Sequence, residues 1–213
     1  MAKISQFHVL LPEETKEGVM HYLYRTTLLW NAMVEHIEPY PAQYLHEPET
    51  DESNEMLNWV IMQLYQILVN QNFSLLPEFK ITPAWEEKLK AVRQLDEAVC
   101  LYRIEDLKKS YRCAKRRVLK GDHSNTGTPT RKRFSSTQTI RFPAKLCQVD
   151  TEQGQLTIQG SYRPLVVQCE GFKQLDPQKQ YTVTVTRGTI PKAVRQQHEG
   201  QSNMVFSFVF MAE

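Results

Sequence analysis

The chain lacks the spacings by which cysteine and histidine mark metal or disulfide chemistry. Its four cysteines, Cys100, Cys113, Cys147 and Cys169, stand far apart with no C-x-x-C pair, which argues against both a zinc knuckle and a disulfide scaffold. The six histidines (His8, His21, His36, His46, His123 and His198) are scattered without ligand spacing. Neither a glycine-rich phosphate loop nor a Cys/His nucleophile arrangement occurs. We therefore expect no metal, no cofactor and no catalytic residue. No run reaches the roughly 18 to 20 uninterrupted apolar residues of a membrane span, which removes a membrane as partner. The opening Met-Ala-Lys-Ile-Ser-Gln-Phe-His carries no apolar stretch ending in a small-residue cleavage site, so the expectation is a cytoplasmic protein.

Acidic residues are scarce in one stretch only. Between Arg103 and Lys145 there are three acids (Glu105, Asp106, Asp122) against thirteen Lys or Arg. The segments 1–102, 103–145 and 146–213 carry net charges of −8, +10 and 0, within a total of +2. A polyanion responds to the local field, because distant charges are screened within about 8 to 10 Å at physiological salt. The middle segment therefore reads as a nucleic-acid contact surface.

Periodicity organises the rest. At 213 residues the chain is long enough for one large domain or two small ones, and two lobes are expected. Residues 3 to 11 alternate as a strand that Pro12 ends. Pro12-Glu13-Glu14-Thr15 then opens a helix, with carboxylates at the positive end of its dipole. Val19, Leu23, Thr26, Trp30, Met33 and Ile37 line one face of that helix. Residues 39 to 54 form an acidic connection. A second helix is expected with Leu57, Val60, Ile61, Leu64 and Leu68 as its stripe, and Thr82-Pro83 caps a further helical stretch that breaks near Arg93 and stops at Gly121.

In that last stretch Cys100, Ile104, Leu107, Tyr111, Ala114 and Val118 step by four and three. Lys108, Lys109, Arg112, Lys115, Arg116, Arg117 and Lys120 fall on the other sides and are expected to be exposed. Charged helix faces are commonly no more than solvated, but here the usual alternation of signs is missing after Asp106. A loop then delivers Arg131-Lys132-Arg133-Phe134. From Gln138 onward the period shortens to two. Short alternating runs at 138–142, 146–149, 155–158, 165–169, 181–187 and 204–210 read as strands of a small barrel or curled sheet, which the opening strand completes. Arg141 and Lys145 extend the basic surface into it. The expected class is α+β, a small antiparallel β barrel with a helical bundle inserted after its first strand. Residues 1–11 and 128–213 make the barrel and 12–127 the insertion.

In order along the chain stand Tyr24-Arg25, Trp30-Asn31-Ala32-Met33, the 95–120 helix, Gly127-Thr128-Pro129-Thr130-Arg131-Lys132-Arg133-Phe134, Ile140-Arg141-Phe142 and Phe206-Ser207-Phe208. This series resembles the N-terminal half of the transposon-encoded RNA-guided nucleases called TnpB, and through them the compact type V CRISPR effectors. The resemblance implies a wedge-type barrel with a helical recognition insertion, elements that in this family hold a structured guide RNA and the RNA–DNA heteroduplex with target DNA. Such proteins read a heteroduplex by its backbone and A-form shape. The family usually has an aromatic residue two positions after the motif proline, where this chain has Arg131. The family also continues past the position of Glu213 into a RuvC nuclease domain, which needs clustered carboxylates to hold two divalent ions. No such cluster is evident here, so the expectation is a binding module rather than an enzyme, with a RuvC-containing chain as a further partner. Two other readings stay open. One is a repressor using a helix-turn-helix within 82–120; the other is an interaction protein that docks a basic partner on its acidic N-terminal lobe.

Overall fold

The computed structural model describes residues 4–37, 62–63, 66, 90, 92–121, 129–133, 138–189 and 204–213. The expected helix around Leu57 to Leu68 and the Thr82-Pro83 cap lie outside these residues, apart from Met62, Gln63 and Gln66, which are helical. Two compact units are present: residues 1–24 with 134–213, and residues 25–133.

Strand β1 (Ile4–Val9) ends before Pro12, whose carbonyl accepts the first helical bond from the Lys16 amide at 2.8 Å. Helix α1 (Glu13–Ile37) follows, with Glu13 and Glu14 in its first turn. It passes from the first unit into the second between Tyr24 and Arg25. Val19, Leu23, Thr26, Trp30 and Met33 are all buried as their spacing predicts, and Tyr22, Leu29, Ala32 and Val34 are buried beside them. The helix therefore has apolar neighbours over a much wider arc than one stripe.

Helix α2 (Glu97–Leu119) begins where Asp96 caps it, its carboxylate accepting from the Ala98 amide at 3.0 Å. The turn at 93–95 realises the expected break near Arg93. Gly121 ends the helix with φ of 76°, a left-handed conformation that glycine adopts without steric cost, and its amide reaches the Val118 carbonyl.

In the first unit the strands form two antiparallel sheets. One has the order β1-β7-β6-β2, and the other β3-β4-β5. The strands are β2 (Thr139–Phe142), β3 (Cys147–Asp150), β4 (Gln155–Ile158), β5 (Leu165–Gln168), β6 (Tyr181–Thr189) and β7 (Met204–Ala212). Val183 faces Phe210 and Val185 faces Phe208 across the β6–β7 ladder, and all four are fully buried. Phe172, on the short 3₁₀ turn Glu170–Gln174, packs edge-on against Phe7, Phe208 and Phe210. Each such ring contributes about 1.5 to 3 kcal/mol relative to exposure.

The α+β class stands, but neither sheet closes into a barrel among the described residues. The cause is local. After four residues of β2 comes Pro143, which has no N–H to continue a ladder, and the 3₁₀ turn Ala144–Leu146 redirects the chain so that β3 pairs with β4 instead. Helix α1 docks within this unit through its first half. Gly18 leaves room for Leu165, and the Tyr22 hydroxyl fills the space beside Gly160 that a β-carbon would occupy.

Candidate nucleic-acid interface

The second unit brings together two segments about a hundred residues apart in sequence. Asn31 on α1 grips the backbone of Lys132 twice: its Nδ2 donates to the Lys132 carbonyl at 3.1 Å, and its Oδ1 accepts from the Lys132 amide at 2.7 Å. This is the pairing that a strand neighbour would supply, made by one side chain. One residue earlier, Trp30 donates its indole N–H to the Thr130 carbonyl at 3.0 Å. Residues 130–132 are thus clasped by the Trp30-Asn31 pair, and Arg131 adds an ion pair to Glu35 at 3.8 Å.

Trp30 is buried, and cations lie against its ring. The Arg103 guanidinium carbon is 4.7 Å from the ring centroid and the Lys132 ammonium 4.2 Å. Each such contact is worth about 0.5 to 2 kcal/mol, more as water is excluded. Burial, and then the Arg103 charge, lower the Lys132 ammonium below the usual lysine range, with Asp106 opposing them. Asp106 also sits 3.8 Å from Arg103.

Among the sequence-predicted cations, Lys109, Arg116, Arg117, Lys120, Arg131, Arg133 and Lys145 are exposed. Lys108, Arg112, Lys132 and Arg141 are half-buried, and Lys108 is paired with Glu105 at 2.9 Å. Lys109, Arg112, Arg116 and Lys120 step by three and four, so they share one face of α2. Arg141 and Lys145 belong to the other unit, on β2 and on the turn after it.

Lys115 does not belong to this exposed set. It is 1 % exposed, against the expectation that it faces solvent, and Arg103 is also buried. At about 100° per residue both positions fall some 60° to either side of the line through Cys100, at the margins of a buried arc that takes in Leu107, Tyr111 and Ala114. A stripe drawn only through apolar residues is too narrow here. Arg103 is accommodated there by the Trp30 ring and by Asp106. Arg103 was not a candidate in sequence, although its position beside Val99, Ile104 and Leu107 was a usable signal.

Cys100 is buried in the same arc. Its thiol is pushed up from an ordinary 9.0 to about 12, first by burial and then by Asp96 and Glu97. It behaves as a small hydrophobe and not as a nucleophile. No group of three or more His, Cys, Asp or Glu suited to a metal ion occurs among the described residues. Nor is any helix among them long and apolar enough to cross a membrane. No protein-family model, curated protein or solved structure matches the chain.

Proposed function

We propose that this chain is a non-catalytic RNA-binding module, the recognition half of a TnpB-like or type V CRISPR-like RNA-guided system, which holds guide RNA and the RNA–DNA heteroduplex. On this reading the antiparallel unit plays the part of the wedge domain and residues 25–133 that of the recognition insertion. The observation that carries it is the clasp between Trp30-Asn31 and Thr130-Arg131-Lys132. Two of the segments that carry the family resemblance meet in space, and their meeting fixes the backbone at Thr130 and Lys132. An exposed cationic stripe on α2 belongs to the same unit. Prepaid ordering of a basic loop suits backbone recognition, because less conformational entropy is then lost on binding.

The test is charge reversal at Lys109, Arg112, Arg116 and Lys120 together, with Lys115 left intact because it is buried. Binding of a structured RNA is expected to fall steeply while the circular dichroism spectrum is unchanged. The slope of log affinity against log salt should shrink by about 3, since each lost phosphate contact accounts for roughly 0.7 to 0.9. Wild-type affinity in this variant at moderate salt would refute the assignment.

A further inference from the structure

The loop between β4 and β5 presents an aromatic ring with unusual care. Tyr162 is 46 % exposed, yet little about its position is left free. His21 on α1 stacks on it with centroids 3.7 Å apart and planes 18° from parallel. Beneath, the Tyr22 hydroxyl accepts from the Tyr162 and Arg163 amides at 3.1 and 3.3 Å and donates to the Arg163 carbonyl at 3.1 Å. The Arg163 guanidinium is itself anchored, donating to the Glu14 carbonyl at 2.8 Å with its carbon 5.7 Å from the Tyr162 centroid. Buried aromatic rings are commonly held this firmly, and half-exposed ones have less reason to be.

We propose that Tyr162, backed by His21, is a stacking platform for an unpaired RNA nucleobase, with the Arg163 guanidinium directed to the adjoining phosphate. The proposal rests on the RNA-binding reading and adds a feature that the cationic stripe of α2 cannot supply. A phosphate-tracking surface accepts duplex and single strand alike, whereas a ring can take a base only where that base is unpaired. Pre-set ring and guanidinium positions match the π-face and the charge of one nucleotide. The fixed stack with His21 means that binding does not have to order the tyrosine.

The experiment uses the full chain with two probes, an oligouridylate and a fully paired RNA duplex of equal length. Tyr162→Ala is expected to weaken oligouridylate binding about tenfold and to leave duplex binding unchanged, both measured well below its melting temperature. Tyr162→Phe and Tyr162→Trp should stay within about twofold of wild type, because the π-face remains. Photo-cross-linking of oligouridylate to the wild-type chain should label the peptide that contains Tyr162. Equal oligouridylate affinity in Tyr162→Ala, an equal loss on both probes, or no label at Tyr162 would each overturn the platform while leaving RNA binding in place. A wild-type chain that retains neither probe would overturn both this inference and the RNA-binding reading beneath it.

Discussion

Replacing Asn31 with alanine tests the clasp directly. The change removes two hydrogen bonds to the Lys132 backbone, at 3.1 and 2.7 Å, and leaves no side-chain group that can re-form them. At about 0.5 to 1.5 kcal/mol net for each bond, the loss is about 1 to 3 kcal/mol. For a chain of this length that corresponds to a drop in melting temperature of about 2 to 12 °C, read by differential scanning calorimetry. Asn31→Asp separates the two bonds. The acceptor for the Lys132 amide survives, but a carboxylate oxygen then faces the Lys132 carbonyl where an N–H had donated, so its melting point should fall between wild type and Asn31→Ala. RNA affinity of the folded Asn31→Ala chain should also drop, since residues 130–132 must then be ordered during binding. An unchanged melting temperature in Asn31→Ala, or one in Asn31→Asp at or above wild type, would refute the clasp as a stabilising element.

Trp30→Ala should destabilise by about 3 to 5 kcal/mol through loss of a buried indole, whereas Trp30→Phe, which keeps one ring for the cations and loses the bond to Thr130 and part of the buried volume, should cost less; equal costs in denaturant titration would argue against this geometry. Lys115→Glu should lower thermal stability by about 3 to 5 kcal/mol, as expected when a buried charge is reversed, and a variant that melts like wild type but binds RNA poorly would restore Lys115 to the exposed surface. For the thiols, Cys100 and Cys147 are both pushed up to about 12, chiefly by burial, so they stay protonated at pH 8 while Cys113 is exposed. Alkylation at that pH followed by peptide mass spectrometry should label Cys113 first. Because these folded-state values lie above the ordinary 9.0, their stabilising contribution is full below about pH 8.5 and falls as pH rises toward 12, a decline that Cys100→Ala should reduce in alkaline melts.

Strands were the most legible part of the sequence. A period of two survives in runs as short as Leu165 to Cys169, and turn residues separate them, so the seven strands among the described residues stand where the alternation places them. Their grouping was not legible. Whether Phe142 leads into a closed barrel or a second sheet depends on which carbonyl meets which amide across long separations, and only Pro143 hints at the interruption. The break near Arg93 and the Gly121 stop show through because they are local chemistry, whereas the Asp96 cap that opens α2 was not singled out. Burial of Lys115 does not show through, because a lysine among basic neighbours reads as part of a solvated face, and Arg103 was legible only through its place beside Val99, Ile104 and Leu107. The clasp lay between: Trp30-Asn31 and the basic tripeptide each stood out, but nothing in their composition joins positions so far apart.

The register of the four-stranded sheet also dictates an order of assembly during synthesis. Ile4 pairs with Met211 and Val9 with Phe206, so β1 leaves the ribosome well before its ladder partner β7, with β2 to β6 between them in the chain. Because β7 also lies between β1 and β6, the sheet lacks an interior strand until Met204–Ala212 emerges. The clasp of Trp30-Asn31 on residues 130–132 lies wholly within the 25–133 unit, so it can form while β1 waits as an unpaired edge. A nascent chain stalled before residue 204 should therefore already resist protease at residues 129–133, yet leave β1 open to pairing with other chains.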